Sequence, residues 1–448
     1  MHKTAAIHNL GCKVNSYEAD AMRQMLMEEG YEIVDFSVQA DVYVINTCSV
    51  TNVADKKSRQ MIRRARKTNP SAIVVACGCY VQTADRKALS DLDIDLVIGN
   101  NQKAELIPQL NRISAMRQNA PGPTDGREEE TPGQDALTGS VIDINQGVPA
   151  YEDLTISRQT GHTRAFIKVQ DGCNQFCTYC IIPYARGRIR SRSLDNVRAE
   201  IEGLAEIGYR EVVLNGIHLS SYGRDTGSSL LELIRMVHEI DGIERIRLGS
   251  LEPGLITEEF VRQLAHLSKV CPHFHLSLQS GSAAVLKRMN RHYTPEEYEE
   301  KCRILRAAYE HPAITTDIIV GFPGETQEEF SQTLAFAERI GFYEIHVFPY
   351  SRRDGTPAAS MPGQITEAVK HARAKELLAL TARQKKAFEE WYRGRECEVL
   401  FEVCREEDGV CWYEGFTPEY VRVRIPSDRD LRNHILCVPY PSHPDQSL

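Results

Sequence analysis

Three cysteines, Cys173, Cys177 and Cys180, fall within eight residues of the stretch "DGCNQFCTYCIIPYARGR", Asp171 to Arg188. Thiolates are soft ligands suited to zinc and to iron–sulfur clusters, and either centre ordinarily takes four donors. Three readings compete. Zinc would need a fourth protein ligand or water, and the nearest histidine in sequence, His162, comes before the strand-like run that leads into the loop. Unbound core thiols are the bland reading, but Asp171, Asn174, Gln175 and Thr178 make the loop polar. A four-iron cluster held by three thiolates fits best, because its fourth iron then stays open to another ligand.

A second set of thiols is scattered. Cys12 in "NLGCKVNSYEAD", Cys48 in "INTCSVT" and Cys79 in "ACGCYVQ" each stand just past an apolar strand-like run. Parallel neighbours bring their C-terminal ends to one edge, so these three would converge there. Without that shared placement they read as buried packing residues.

The elements that must position both sets emerge from periodicity. Between Thr4 and Leu110 short apolar runs alternate with amphipathic stretches, which predicts a small parallel α/β sheet. Arg117 to Ser140, rich in Pro, Gly and acid, reads as a flexible linker. Strand-like runs then start at Arg164, Glu211, Arg245, His273, Thr315 and Glu344, separated by helical stretches such as Leu194 to Ile207 and Pro295 to Glu310. Six βα units predict an open, partial TIM-type (βα)6 barrel with its chemistry at the C-terminal strand ends. A long helix from Thr366 to Tyr392 precedes short strands that predict a small C-terminal β domain. The expected division is 1–114, a linker at 115–160, a core at 161–388 and a β domain at 389–448.

Composition narrows the class. The chain has 448 residues, too many for one ordinary domain, and 13 cysteines, an odd number that favours metal over a disulfide framework. No apolar run reaches the ~18 residues of a membrane span and the N-terminus lacks signal-peptide features, so a cytoplasmic protein without membrane contact is expected. Net charge is −9, yet Asn52 to Pro70 is a basic helix carrying Lys56, Lys57, Arg59 and Arg63, and Arg186, Arg188, Arg190 and Arg192 come directly after the cysteine loop. Both runs are candidates for RNA phosphates, set against the reading of solvated faces. From Glu389 onward 13 acidic residues face 7 Lys or Arg, which argues against a strong RNA role for the last domain.

The C-x-x-x-C-x-Tyr-C pattern with six βα units resembles the radical S-adenosylmethionine (SAM) superfamily. "NLGCKVNSYEAD", "NTCSVT", "GCYVQ" and "DGCNQFCTYCIIPYARGRIRSR", in that order, resemble its methylthiotransferases. The resemblance implies two [4Fe–4S] clusters, on Cys12, Cys48 and Cys79 and on Cys173, Cys177 and Cys180. Cys77 competes with Cys79, but Cys79 is the one that stands before the family's x-x-Gln. It implies SAM on the open iron of the second cluster, Tyr179 near the adenine, and Asn215, Gly216, Gln279 and Gly321 near the cofactor. The last domain occupies the place of the family's TRAM domain. "RAFIKVQDGCNQFCTYCIIPYARG" and "HVFPYSRRDGTPAA" most resemble the branch that adds a methylthio group to carbon 2 of N6-threonylcarbamoyladenosine in the tRNA anticodon loop, using two SAM per product. A flavodoxin or ferredoxin would supply electrons. The isopentenyladenosine branch and a non-catalytic iron–sulfur or zinc RNA-binding protein are the alternatives.

Overall fold

Val42–Thr47 and Ile73–Gly78 are buried along their whole length, as expected of central parallel strands covered on both faces. The computed structural model describes residues 3–118, 138–147, 149–159 and 161–440. The N-terminal sheet consists of β1 Lys3–Asn9, β2 Tyr31–Ile33, β3 Val42–Thr47, β4 Ile73–Gly78, β5 Leu96–Ile98 and β6 Thr138–Ser140. Its order is β2-β1-β3-β4-β5-β6 and every pairing is parallel. Helix α1, Lys13–Glu28, comes after β1, and α2, Asn52–Thr68, after β3. The five-residue helix α3, Cys79–Thr83, continues from β4.

The expected linker is described only in part. Residues 119–137 lie outside the described residues, but the segment after them is built into the fold. Thr138–Ser140 extends the sheet as β6, and buried Leu154 and Ile156 pack against Tyr17 and Ala21 of α1. The acid- and Pro-rich composition conceals these few apolar anchors.

The central domain holds β7 Ala165–Asp171, β8 Arg190–Ser191, β9 Glu211–Gly216, β10 Arg245–Leu248, β11 His273–His275, β12 Ala313–Val320 and β13 Glu344–Pro349. β10-β9-β7-β8 form one sheet and β11-β12-β13 another, joined by the bridges Ile246–Val270 and Leu251–Leu276. Six parallel strands thus make an open barrel, with β8 a short antiparallel addition to β7. Ala165, Ile167, Val212, Leu214, Ile246, Leu248, Phe274, Ile318 and Ile345 belong to the core under the outer helices. Side chains alternate along a strand, so Phe166, Glu211, Arg247, His273, His275, Asp317 and His346 face the interior.

The C-terminal strands β14 Glu396–Glu407, β15 Val410–Phe416, β16 Arg422–Pro426 and β17 Ile435–Pro439 form an antiparallel sheet in the order β16-β15-β14-β17. This small β domain closes the N-terminal ends of the barrel strands. Arg245 pairs with Glu398, Arg164 with Glu402, and Arg247 donates to the Pro418 carbonyl. Tyr420 lies beneath Arg164 and Arg247, 4.9 and 4.8 Å from their guanidinium carbons to its ring centre. Among the described residues no helix is long and apolar enough to cross a membrane.

Candidate active site

The N-terminal thiols sit at the C-terminal ends of adjacent strands. Cys12 is the N-cap residue of α1, but its thiol caps no backbone N–H and instead faces Asn15 Oδ1 at 3.9 Å. Cys48 directly succeeds β3 and Cys79 begins α3 after β4. Gly11 has φ +110°, and a Cβ there would lie 3.0 Å from Cys48 Sγ; only glycine lets the two loops approach. Asn100 Nδ2 donates to Cys79 Sγ at 3.6 Å. Cys77 instead points into the core, toward Met22 Sδ at 3.9 Å and the Ile45 carbonyl at 3.6 Å. Gly78 between them, at φ +92°, turns the chain from strand into helix, which parts two thiols only two positions apart.

The central thiols share one loop. Gly172 turns the chain at φ +73°, where an added Cβ would meet the Arg188 carbonyl oxygen at 1.8 Å, and Phe176 also adopts positive φ. Asn290 donates to the Gln175 and Phe176 carbonyls, and Thr178 donates to the Arg288 carbonyl, so the loop is tied to the barrel. Arg291 Nη1 donates to Cys177 Sγ at 3.3 Å and binds Glu252 through Nη2 at 2.8 and 2.7 Å. Burial pushes the thiols of Cys173 and Cys48 up to about 11, and burial with Cys177 pushes Cys180 up to about 12. Free, these thiols are protonated near neutrality, and binding a metal must release their protons.

One cavity of about 370 Å³ reaches Cys12 of the N-terminal set and all three central thiols, while Cys48 and Cys79 are not in its wall. Its walls include Cys12, Cys173, Cys177, Cys180, Tyr179, Asn215 and Gly216, together with Lys13, His218, Gly249, Ser250, Glu252 and Arg291. Gln279 and Gly321 are not in this lining. The space over Gly321 is filled by Lys370, 2.4 Å from where a Cβ would be, so this glycine admits a helix to the strand end. Tyr179 packs edge-on to Phe322 with ring centres 6.5 Å apart.

The arginine run does not meet solvent as its spacing predicts. Arg186 is 0% exposed and Arg190 and Arg192 are 1% exposed, so none of the three can hold RNA phosphates. Arg186 instead joins the domains. It binds Glu18 of α1 at 2.7 Å, Asp171 at 3.1 Å and Asn15 Oδ1 at 2.5 Å, while Lys168 and Lys103 close the same network around Glu18. Arg192 binds Glu200 at 2.5 Å, and Arg190 lies beside Asp171. Burial alone would raise the Glu18 and Asp171 carboxyls, but Arg186 with Lys103 and Lys168 holds Glu18, and Arg186 with Lys168 and Arg190 holds Asp171, below the usual carboxylate range. Arg188 is half-buried over Phe176, at 4.6 Å.

The basic helix is different. Buried Asp55, Ser58, Ile62 and Ala65 turn one face of α2 inward, leaving Lys56, Lys57 and Arg63 exposed, while Arg59 leans on Tyr80. The first turn of α2 docks on the barrel: Arg353 pairs with Asp55 and donates to Ser49 Oγ at 2.5 Å, beside Cys48.

Residues 167–337 match the Radical SAM superfamily, and residues 4–99 match Uncharacterized protein family UPF0004. Threonylcarbamoyladenosine tRNA methylthiotransferase MtaB of Bacillus subtilis is 40% identical over 97% of this chain and 93% of its own length. The chain belongs to the radical SAM methylthiotransferase family. The protein of the same name from Aquifex aeolicus is 39% identical over 88% of this chain and 92% of its own. tRNA-2-methylthio-N(6)-dimethylallyladenosine synthase of Acetivibrio thermocellus is 36% identical over 96% and 86%. Among solved structures, the radical S-adenosylmethionine methyltransferase TsrM of Kitasatospora setae aligns over 80% of this chain and 74% of its own at TM-score 0.57 and 16% identity, a likeness of fold.

Membership implies SAM and a [4Fe–4S] cluster. The central loop fits such a cluster: its donors are three soft thiols lining a cavity, and a guanidinium N–H already reaches one sulfur, as outer hydrogen bonds to cluster thiolates do. Glu252 and Arg291 are absent from the residues that the sequence singles out. Glu252 ends the β10 unit in "LGSLEPG", a strand-end position that could have flagged it, whereas nothing in "MNRHYT" marks Arg291.

Proposed function

We propose that this methylthiotransferase adds a methylthio group to carbon 2 of N6-threonylcarbamoyladenosine beside the anticodon of tRNA, with one cluster on Cys12, Cys48 and Cys79 and a second on Cys173, Cys177 and Cys180. The observation that carries this reading is the single cavity whose wall includes Cys12 of one triad and all three thiols of the other. The names of the similar relatives from Bacillus subtilis and Aquifex aeolicus give the substrate. Carbon 2 of adenine bears a C–H bond with no acidic proton, so acid–base groups alone would not replace it. When bound, the clusters and SAM supply one-electron chemistry and sulfur.

The chain's own residues hold, orient and enclose. Arg291 offers its positive charge to the Cys177 sulfur and is itself fixed by Glu252, which also lies 3.7 Å from His218. Asn215 and Gly216 bring the end of β9 to the cavity wall beside the loop that carries Tyr179. An unpaired anticodon-loop base can turn into this space for little more than its stacking energy. Lys56, Lys57 and Arg63 on the outer face of α2 are placed to meet the RNA backbone, and Arg188 at the loop edge would add to them. A flavodoxin- or ferredoxin-type protein would reduce the central cluster, and the substrate places the enzyme in the cytoplasm.

The isopentenyladenosine reading rests on the 36% relative and is second. Nucleoside mass spectrometry of tRNA from a deletion strain decides between them. The methylthio group should vanish from threonylcarbamoyladenosine while methylthio-isopentenyladenosine persists; the reverse pattern would sink the proposal.

A further inference from the structure

Among the described residues that line the cavity between the triads, Lys13 is a cation without a counterion. It stands next to Cys12 at the start of α1, and its side chain crosses from the N-terminal domain into the barrel, where Nζ lies 5.7 Å from the centre of the Phe166 ring. Its neighbours are matched: Arg247 with Glu211, Arg164 with Glu402, Arg291 with Glu252 and Lys168 with Glu18. Among the described residues Lys13 has no ion pair and no hydrogen bond. The carboxylate that does act on it, Glu211, is already engaged by Arg247 at 2.8 Å and Arg245 at 3.8 Å. Lys13 is exposed and contributes to the cavity wall. An unmatched ammonium-bearing side chain in the wall of a substrate cavity, with arginines already paired around it, is an anion subsite.

We propose that Lys13 receives the carboxylate of the threonylcarbamoyl group. This rests on the substrate reading above and adds to it the group that tells the two tRNA substrates apart. The threonylcarbamoyl substituent ends in a free carboxylate; an isopentenyl group is apolar and would leave the ammonium unmatched. A charge-assisted hydrogen bond in the cavity supplies affinity for the first, and the unpaired cation disfavours the second. Lys13 adjoins Cys12 in the chain, so the same helix start would place a thiol for the cluster and a charge for the substituent.

The test uses the reconstituted holoenzyme and anticodon stem-loop RNAs that carry threonylcarbamoyladenosine, its methyl ester or isopentenyladenosine. Binding is read by fluorescence anisotropy without SAM, and kcat/KM by mass spectrometry of the product nucleoside. Wild type should prefer the free acid over the ester by on the order of 10- to 100-fold. Lys13→Gln should bring that ratio to about one, and Lys13→Arg should retain most of it. If Lys13→Gln keeps the wild-type ratio, even with lower rates on both RNAs, Lys13 serves the cluster or SAM and the proposal is wrong. The substrate reading stands or falls separately: wild type that modifies the isopentenyl RNA and ignores the threonylcarbamoyl RNA would overturn both.

Discussion

The central triad is carried by one loop of eight residues, whereas the N-terminal triad is assembled from the ends of β1, β3 and β4, far apart in sequence. The central loop needs little chain entropy to bring its thiols together, and a few ties through Asn290 and Thr178 fix it. The N-terminal set exists only once the parallel sheet has formed. One donor set is thus a property of a peptide, the other of a fold. They also differ in surroundings: an arginine reaches the Cys177 sulfur, while a neutral amide reaches the Cys79 sulfur.

The largest expected effect breaks the comparison in two. Replacing Cys173, Cys177 and Cys180 by Ala should lower iron after anaerobic reconstitution from about eight to about four per chain and abolish release of 5′-deoxyadenosine from SAM. Replacing Cys12, Cys48 and Cys79 should remove the same amount of iron and all methylthio product while leaving 5′-deoxyadenosine release in place. Either triple variant keeping its full iron would defeat the assignment of its triad.

A smaller effect should come from breaking the connection between the two sets. Arg186→Met leaves Glu18 and Asp171 buried without their main partner and should cost about 3–5 kcal/mol, read as a lower denaturation midpoint. Normal stability with weakened RNA binding would show that Arg186 meets phosphate after all.

A pH-dependent effect, smaller again, tests the same network. Glu18 has a folded pKa below its unfolded value of about 4.3, so its stabilisation is complete above that value and is lost as pH falls through the folded one. The stability gap between wild type and Glu18→Gln should stay constant from pH 8 to about 5 and narrow below about 4. A gap that narrows between pH 8 and 6 would mean Glu18 is not held as an anion.

The smallest effect concerns the exposed cations of α2. Substituting Gln for Lys56, Lys57 and Arg63 together should reduce the salt dependence of tRNA binding by about 0.7 to 0.9 in slope for each phosphate no longer neutralised, with iron content unchanged. An unaltered slope would remove α2 from the RNA interface.

The contrast between peptide and fold also explains what the sequence discloses. All six barrel strands and the cysteine loop are legible because their signals, apolar runs and short spacings, are local. The alternating arginines after the loop are misleading for the opposite reason. Their partners Glu18, Asp171 and Glu200 come from α1, from β7 and from the helix Leu194–Glu206, so a pattern that looks solvated is neutralised by carboxylates elsewhere. The strap at Leu154 and Ile156, the three-residue strands β2 and β6, and the docking of the last domain under the barrel are likewise long-range outcomes. Arg291 becomes part of the site only through the turn that brings it to Cys177.

Helix α1 begins at a cavity thiol and, within its first two turns, carries Lys13, Asn15, Tyr17 and Glu18. Asn15 and Glu18 grip Arg186, and Tyr17 holds the Leu154 carbonyl and Glu200. The helix is therefore a gauge between two workplaces. A single residue inserted between Cys12 and Glu18 would advance one end by about 1.5 Å and rotate it by about 100°, so the thiol and the interdomain anchor could no longer both be in place. Length and phase of that short helical stretch set the working distance of the enzyme.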